Sequence, residues 1–310
     1  MHKANLTAKD RLVVSFMNRM LTLRRVTSIR GNRKNINKIR DDLELLAGTV
    51  AKKHPKAVVT KEMCAGLKVE QIIFKGMETD RILLYTHGGG YAFGSPSTHR
   101  AMISRIAWYM KANAIVPDYR LAPENPYPAG LNDIVTLYRH LIESSIPPEK
   151  IIIAGESAGG GLTLALLNRI KAQKLPMPAV ACLLSPWADL TMAGKSIKGN
   201  QANDKILSKG LLHSFADMYA PAWLRKDPFV SPALFGDFTD LPPMIIQVGS
   251  SEVLIDDSRI IAKAVKEASG DVTIQEWRDM QHFWHFNFRV MKSARNAVRA
   301  LGTFVNEKMV

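Results

Sequence analysis

The stretch Ile151-Ile152-Ile153-Ala154-Gly155-Glu156-Ser157-Ala158-Gly159 decides the reading of this chain. An apolar run ends in Gly-x-Ser-x-Gly, and a helical run, Leu162 to Ile170, follows it. Strand, turn and helix in that order make a nucleophile elbow. The turn is so sharp that its serine takes a strained backbone conformation, and the flanking glycines remove Cβ atoms that would otherwise collide. Ser157 is thereby lifted above a sheet edge, at the positive end of a helix. A serine hydroxyl is a poor nucleophile unless a base and a site for the developing oxyanion accompany it. The rest of the chain is therefore read for those two parts.

Upstream, the apolar run Ile82 to Thr86 leads into His87-Gly88-Gly89-Gly90-Tyr91. On its own such a tract is a flexible glycine turn. Beside an elbow, its backbone N–H groups are donors that can converge on one oxygen. Gly88 and Gly89, joined by Ala158, are the expected oxyanion donors. An elbow of this kind is followed along the chain by an acid and then a histidine. Three histidines follow Ser157: His213, His282 and His285. His213 lies in a helical stretch and reads as a surface or packing residue. His282 follows the expected last strand, Val272 to Trp277, and a short loop, which is where a base can reach over the serine. His285 reads as packing or pocket wall. For the acid, the strand Met244 to Val248 is followed by Glu252, Asp256 and Asp257. Glu252 is nearest the strand end and is the first choice. Asp256 and Asp257 suit the start of the next helix, and Asp256 is the rival.

Taken together, His87-Gly88-Gly89-Gly90-Tyr91, Asp118-Tyr119-Arg120-Leu121-Ala122-Pro123-Glu124, Gly155-Glu156-Ser157-Ala158-Gly159-Gly160, Asp227-Pro228-Phe229-Val230-Ser231-Pro232 and Leu241-Pro242-Pro243 resemble the hormone-sensitive-lipase-like branch of the α/β-hydrolase carboxylesterases. The interval of 30 residues from Glu252 to His282 is also similar to that family's spacing of acid and base. The resemblance runs from about Arg81 to the C-terminus. It implies a serine carboxylesterase acting on short- to medium-chain esters, with no metal or organic cofactor. It also makes Asp118 to Glu124 a brace for the oxyanion loop, and it leaves pairing into a homodimer through the last strand and helix open. Two positions depart from the common pattern: Glu252, where many members carry Asp, and Glu156, where many carry Asp before the nucleophile.

Strand and helix alternate through the body of the chain. Strands are expected at Ala57–Met63, Val69–Lys75, Ile82–Thr86, Ala114–Asp118, Ile151–Ala154, Ala179–Leu184, Met244–Val248 and Val272–Trp277. Helices are expected near Thr98–Lys111, Leu131–Ser144, Ala158–Ala172 and Asp256–Ala268, and from about Phe288 onward. This order predicts an α/β fold, an eight-stranded and mostly parallel sheet with helices on both faces and an antiparallel hairpin at its start. Residues 1–46 read as two helices, with Leu12, Val13, Phe16, Met17, Met20 and Leu21 on one stripe and Ile36, Ile39, Leu43 and Leu46 on the other. Their expected partner is a second helical insertion, 204–223, the two forming a cap above residues 47–310, the catalytic domain. Tyr91, Trp187 and Phe215 are the candidate pocket residues.

The formal charge of +14 is concentrated at the N-terminal end. Residues 1–61 hold 15 Lys and Arg against four Asp and Glu, so the remainder is nearly neutral. A solvated basic face and a weak contact with an anionic surface are both readings of that charge. No nucleic-acid-binding motif accompanies it. Cys64 and Cys182 lack metal-ligand spacing and read as separate thiols of a reducing compartment. With no run of 18 apolar residues and no secretory core near Met1, a cytoplasmic protein is expected. A lactonase or amidase could use the same machinery on a small molecule. A non-catalytic receptor of the same fold is the rival from another class, and the joint presence of Ser157, a carboxylate and His282 argues against it.

Overall fold

The computed structural model describes residues 33–50 and 52–309. Eight strands form one sheet: β1 (Ala57–Cys64), β2 (Leu67–Phe74), β3 (Ile82–Thr86), β4 (Asn113–Pro117), β5 (Ile151–Glu156), β6 (Val180–Leu184), β7 (Met244–Gly249) and β8 (Val272–Trp277). Their spatial order is β1-β2-β4-β3-β5-β6-β7-β8. The hairpin β1–β2 and the pair β2–β4 are antiparallel, and all the other pairs are parallel.

Among the described residues seven longer helices surround the sheet: α1 (Arg33–Val50), α2 (Pro96–Met110), α3 (Ala129–Glu143), α4 (Ala158–Ala172), α5 (Lys209–Tyr219), α6 (Ile255–Glu267) and α7 (Lys292–Lys308). Alternation along the central strands divides the core in two, because successive side chains point to opposite faces. Leu84, Ile151, Ile153, Ala181, Leu183, Met244 and Ile246 pack with α3, α4 and α6. Leu83, Tyr85, Ile152, Ala154, Val180, Cys182 and Ile245 pack with α2 and α7. Strands β5, β6 and β7 are buried along their whole length, which is why they read as unbroken apolar runs.

Local chemistry sets several element ends. Ser95 caps α2 in a capping box with Thr98, and Pro96 follows at the first helical position. Ser208 caps α5. The last helix begins at Lys292 rather than near Phe288. A short 3-10 turn, Trp284–Asn287, takes up the interval and buries Trp284 and His285.

The N-terminal expectations are answered in part. The stripe from Leu12 to Leu21 lies outside the described residues. In the second stripe Ile36 is fully buried, and Ile39 and Leu43 are half-buried. The helix against which α1 packs most extensively is α2, not the 204–223 segment. Glu44 ties α1 to the start of α2 by accepting from the hydroxyls of Ser95 and Ser97, and the Arg40 guanidinium donates to the carbonyls of Ala92 and Ala122 and pairs with Glu124. Within 204–223 only Lys209–Tyr219 is α-helical. Residues before it are held by Asp204, whose Oδ1 accepts from the N–H groups of Ile206 and Leu207. Among the described residues no helix is long and apolar enough to cross a membrane.

The packing predicts a contrast between two isoleucines. Ile153, 1 % exposed at the sheet centre, and Ile73, 45 % exposed on β2, should respond very differently to truncation. Ile153→Ala should cost about 2–5 kcal/mol in chemical denaturation, and Ile73→Ala under about 0.5 kcal/mol.

Candidate active site

Parallel strands end on a common edge, and the loops leaving β3, β5, β6, β7 and β8 meet there. Ser157 follows β5 with φ 54° and ψ −124°, a region costly for a residue with a Cβ. The surroundings hold it: its N–H donates to the Leu184 carbonyl (2.9 Å), and its own carbonyl accepts from Trp187 (2.9 Å) and Gly161 (3.1 Å). The Ser157 hydroxyl lies 2.9 Å from His282 Nε2. His282 Nδ1 lies 2.8 Å from Glu252 Oε2. A carboxylate can only accept, so Nδ1 carries the proton and Nε2 is left to accept from the serine.

Glu252 is fully buried, and both of its oxygens are used. Oε1 accepts from the Ser185 hydroxyl (2.7 Å) and the Gly249 N–H (2.5 Å). The backbone around it is clamped as well. Asn200 donates to the carbonyls of Glu252 (2.8 Å) and Ser250 (3.2 Å), and Asp204 Oδ2 accepts from the Val253 N–H (3.0 Å). Gln281, beside His282, bonds Lys205 and Asn203. The segment before α5 thus ties the acid loop to the histidine loop.

Burial alone would push the His282 pKa down. The hydrogen bond and charge of Glu252, with Asp204 and Glu156 adding, reverse that, and the net shift is upward from 6.5. Two other buried rings are held near 3: His87 by burial and then His99, and His285 by burial and then His282. Both stay neutral at ordinary pH. His285 bonds the buried Gln247 (2.9 Å), and His213 is half-buried on α5.

The rival acids turn outward from this site. Asp256 accepts from the Ser196 N–H (2.8 Å), and Asp257 from those of Ala188 and Asp189 (2.9 Å each). Neither caps its own helix, as their position suggested; each satisfies the backbone of another loop.

The glycine loop needs one correction. The Gly88 N–H, expected among the oxyanion donors, donates instead to Glu156 Oε1. The approach is so close that a Cβ on Gly88 would stand 2.7 Å from that oxygen. The N–H groups of Gly89, Gly90 and Ala158 bond no acceptor among the described residues. Gly90 was not singled out from the sequence. It has φ 59°, and a Cβ there would lie 2.7 Å from the Phe215 ring. Next to it, Tyr91 stacks on Tyr219 (centroids 3.9 Å apart) and its hydroxyl donates to the Trp187 carbonyl (2.9 Å). Phe215 also meets Phe93 (5.5 Å). Tyr91, Trp187 and Phe215 are all buried, and the Trp187 backbone N–H bonds the Ser157 carbonyl.

Sequence reasoning missed Ser185, Asn200 and Asp204. Ser185 had a signal, since it follows β6 at the same edge as Ser157. Asn200 and Asp204 lie in a segment without periodicity and had none. Among the described residues no group of three or more His, Cys, Asp or Glu is placed to hold a metal ion.

Residues 83–286 match the family model described as the alpha/beta hydrolase fold. An acetyl-hydrolase of Streptomyces hygroscopicus is 39 % identical over 251 residues, 81 % of this chain and 82 % of that protein. An esterase of Acinetobacter venetianus is 37 % identical over 240 residues, 76 % of this chain and 77 % of its own. A crystallised esterase from the bacterial hormone-sensitive lipase family superposes with a TM-score of 0.89 at 32 % identity, covering 99 % of this chain and 100 % of that one. The chain belongs to the α/β-hydrolase fold family, in its hormone-sensitive-lipase-like branch.

The electrostatics predict that three buried histidines titrate in two separate ranges by NMR. His282 should titrate above 6.5, and His87 and His285 near 3. Glu252→Gln should move His282 downward, because burial is then opposed only by the charges of Asp204 and Glu156. An unchanged His282 midpoint would show that Glu252 does not set it.

Proposed function

We propose that this chain is a serine carboxylesterase. His282 takes the proton of Ser157 as Ser157 attacks an ester carbonyl. Glu252 holds the imidazole in the required tautomer and stabilises its cation. The N–H groups of Gly89, Gly90 and Ala158 receive the oxyanion. His282 returns the proton to the leaving alcohol, and water repeats the sequence on the acyl-enzyme. The observation that carries this reading is the continuous hydrogen-bonded line from Glu252 Oε2 through His282 to Ser157 Oγ, beside backbone donors with no other acceptor. The family membership and the names of the relatives support an ester as substrate.

The acyl group is short to medium in length. In this reading Phe215, whose ring lies against Gly90, Tyr91 and Trp187 wall the acyl pocket. The cap, in the same reading, is contributed by the described part of residues 1–46 and by 204–223 of the catalytic domain, residues 47–310.

A series of p-nitrophenyl esters of increasing acyl length, run beside monocyclic lactones, tests the substrate class. Turnover should be highest on the shorter esters; a preference for lactones would overturn the ester assignment. Ser157→Ala should lower kcat by on the order of 10⁶, and full retained activity would end the mechanism. Glu252→Gln should cost far more turnover than Asp256→Asn, and equal losses would overturn the choice of acid. The base works only when neutral, so kcat/KM should fall as pH drops through an apparent pKa above 6.5.

A further inference from the structure

Glu156, the residue before Ser157, neither gives nor takes a proton in the transfers described above, yet it is fully buried among polar groups. It is 0 % exposed, and a buried carboxylate is costly unless donors surround it. Its Oε1 takes two donors from different elements. One is the Gly88 N–H, at the start of the glycine loop. The other is His99 Nε2, on α2, at 2.9 Å. The far side of the His99 ring is also fixed: Nδ1 lies 2.7 Å from the Thr98 hydroxyl and 3.2 Å from the Ser95 carbonyl. The His99 ring stacks at 5.3 Å on His87, which stacks at 4.4 Å on Tyr119. The Tyr119 hydroxyl donates to the His87 carbonyl (2.5 Å). Tyr85, on β3, stands close enough that burial and then the charge of Glu156 push its phenol well above the usual range.

The consequence is geometric. Glu156 shares its backbone with Ser157, so its carboxylate is rigidly related to the serine. By fixing the Gly88 N–H it fixes the peptide planes that follow, which carry the N–H groups of Gly89 and Gly90. We infer that Glu156, braced by His99, is a positioning residue that locks the glycine loop in register with Ser157, so that the Gly89 and Gly90 donors face the oxyanion. This inference rests on the esterase reading. It assigns Glu156 an effect on the transition state, where the oxyanion is fully formed, and little effect on the bound ester.

The experiment compares Glu156→Ala with Glu156→Gln, each normalised to active sites titrated with a fluorophosphonate. Alanine removes the acceptor of the Gly88 N–H. Glutamine keeps an oxygen in its place. Glu156→Ala should lower kcat per titrated site about 100-fold, the scale of losing an oxyanion donor, with KM changed less than about threefold. Its affinity for a trifluoromethyl ketone, whose adduct carries the oxyanion, should fall in parallel. Glu156→Gln should recover kcat and affinity to within about fivefold of the parent. If Glu156→Ala folds too poorly to titrate, Glu156→Asp takes its place: its carboxyl is one methylene short of Gly88, and the same split between kcat and KM is expected. Unchanged kcat per titrated site in the alanine or aspartate variant would overturn the inference. So would equal losses in alanine and glutamine, or a loss confined to KM. If the parent protein itself neither titrates nor turns over esters, the esterase reading fails and this inference falls with it, an outcome distinct from a fully active parent whose Glu156 variants match it.

Discussion

Strand register is the constraint on which this structure depends. Thr86 of β3 pairs with Gly155 of β5, Gly155 with Leu183 of β6, and Gly249 of β7 with Trp277 of β8. Because these pairs are parallel, the chain leaves each strand at the same edge. The glycine loop, the elbow, Ser185, the Glu252 loop and the His282 loop are neighbours for that reason, although they span most of the sequence. A register slip of one residue in any of these strands would turn its side chains to the other face and part the serine from its histidine.

Polar groups at that edge are buried, and burial strengthens the hydrogen bonds they make. Glu252 accepts from Ser185, Gly249 and His282, so its orientation leaves little freedom. Gly249 approaches the Met280 carbonyl so closely that a Cβ there would lie 2.3 Å away, which brings the acid loop against the histidine loop. The strain at Ser157 is local, and the bonds to Leu184, Trp187 and Gly161 sustain it. Removing any one partner would leave a buried group unsatisfied, which costs more than the bond itself contributes.

Much of this was legible in the sequence, for identifiable reasons. The buried parallel strands β5, β6 and β7 are continuous apolar runs, and all eight strands lie within a few residues of their expected places. Ser157 stood out because it follows such a run and precedes a helix, and His282 because it follows the last expected strand and a short loop. Glu252 was separable from Asp256 and Asp257 by nearness to the strand end. The role given to the Gly88 N–H failed because a consecutive-glycine tract says that backbone donors exist, not which acceptor each one meets; the Glu156 carboxylate had to be seen in place. The start of α7 was missed because Phe288 and Met291 are apolar and buried and extend the helical pattern into a 3-10 turn. Asn200 and Asp204 act through long-range bonds to backbone, which no local pattern encodes. Glu44 binds α1 to the start of α2 through the hydroxyls of Ser95 and Ser97, a charged contact that an apolar stripe leaves out.

The central claim is that an acyl group passes through the Ser157 oxygen. Protein quenched in acid during turnover of p-nitrophenyl acetate, then digested and read by mass spectrometry, tests it most directly. The account predicts an acetyl group on the peptide that carries Ser157, and its absence once substrate is exhausted. Sustained turnover with no acylated peptide, or with the acetyl group on another residue, would contradict it.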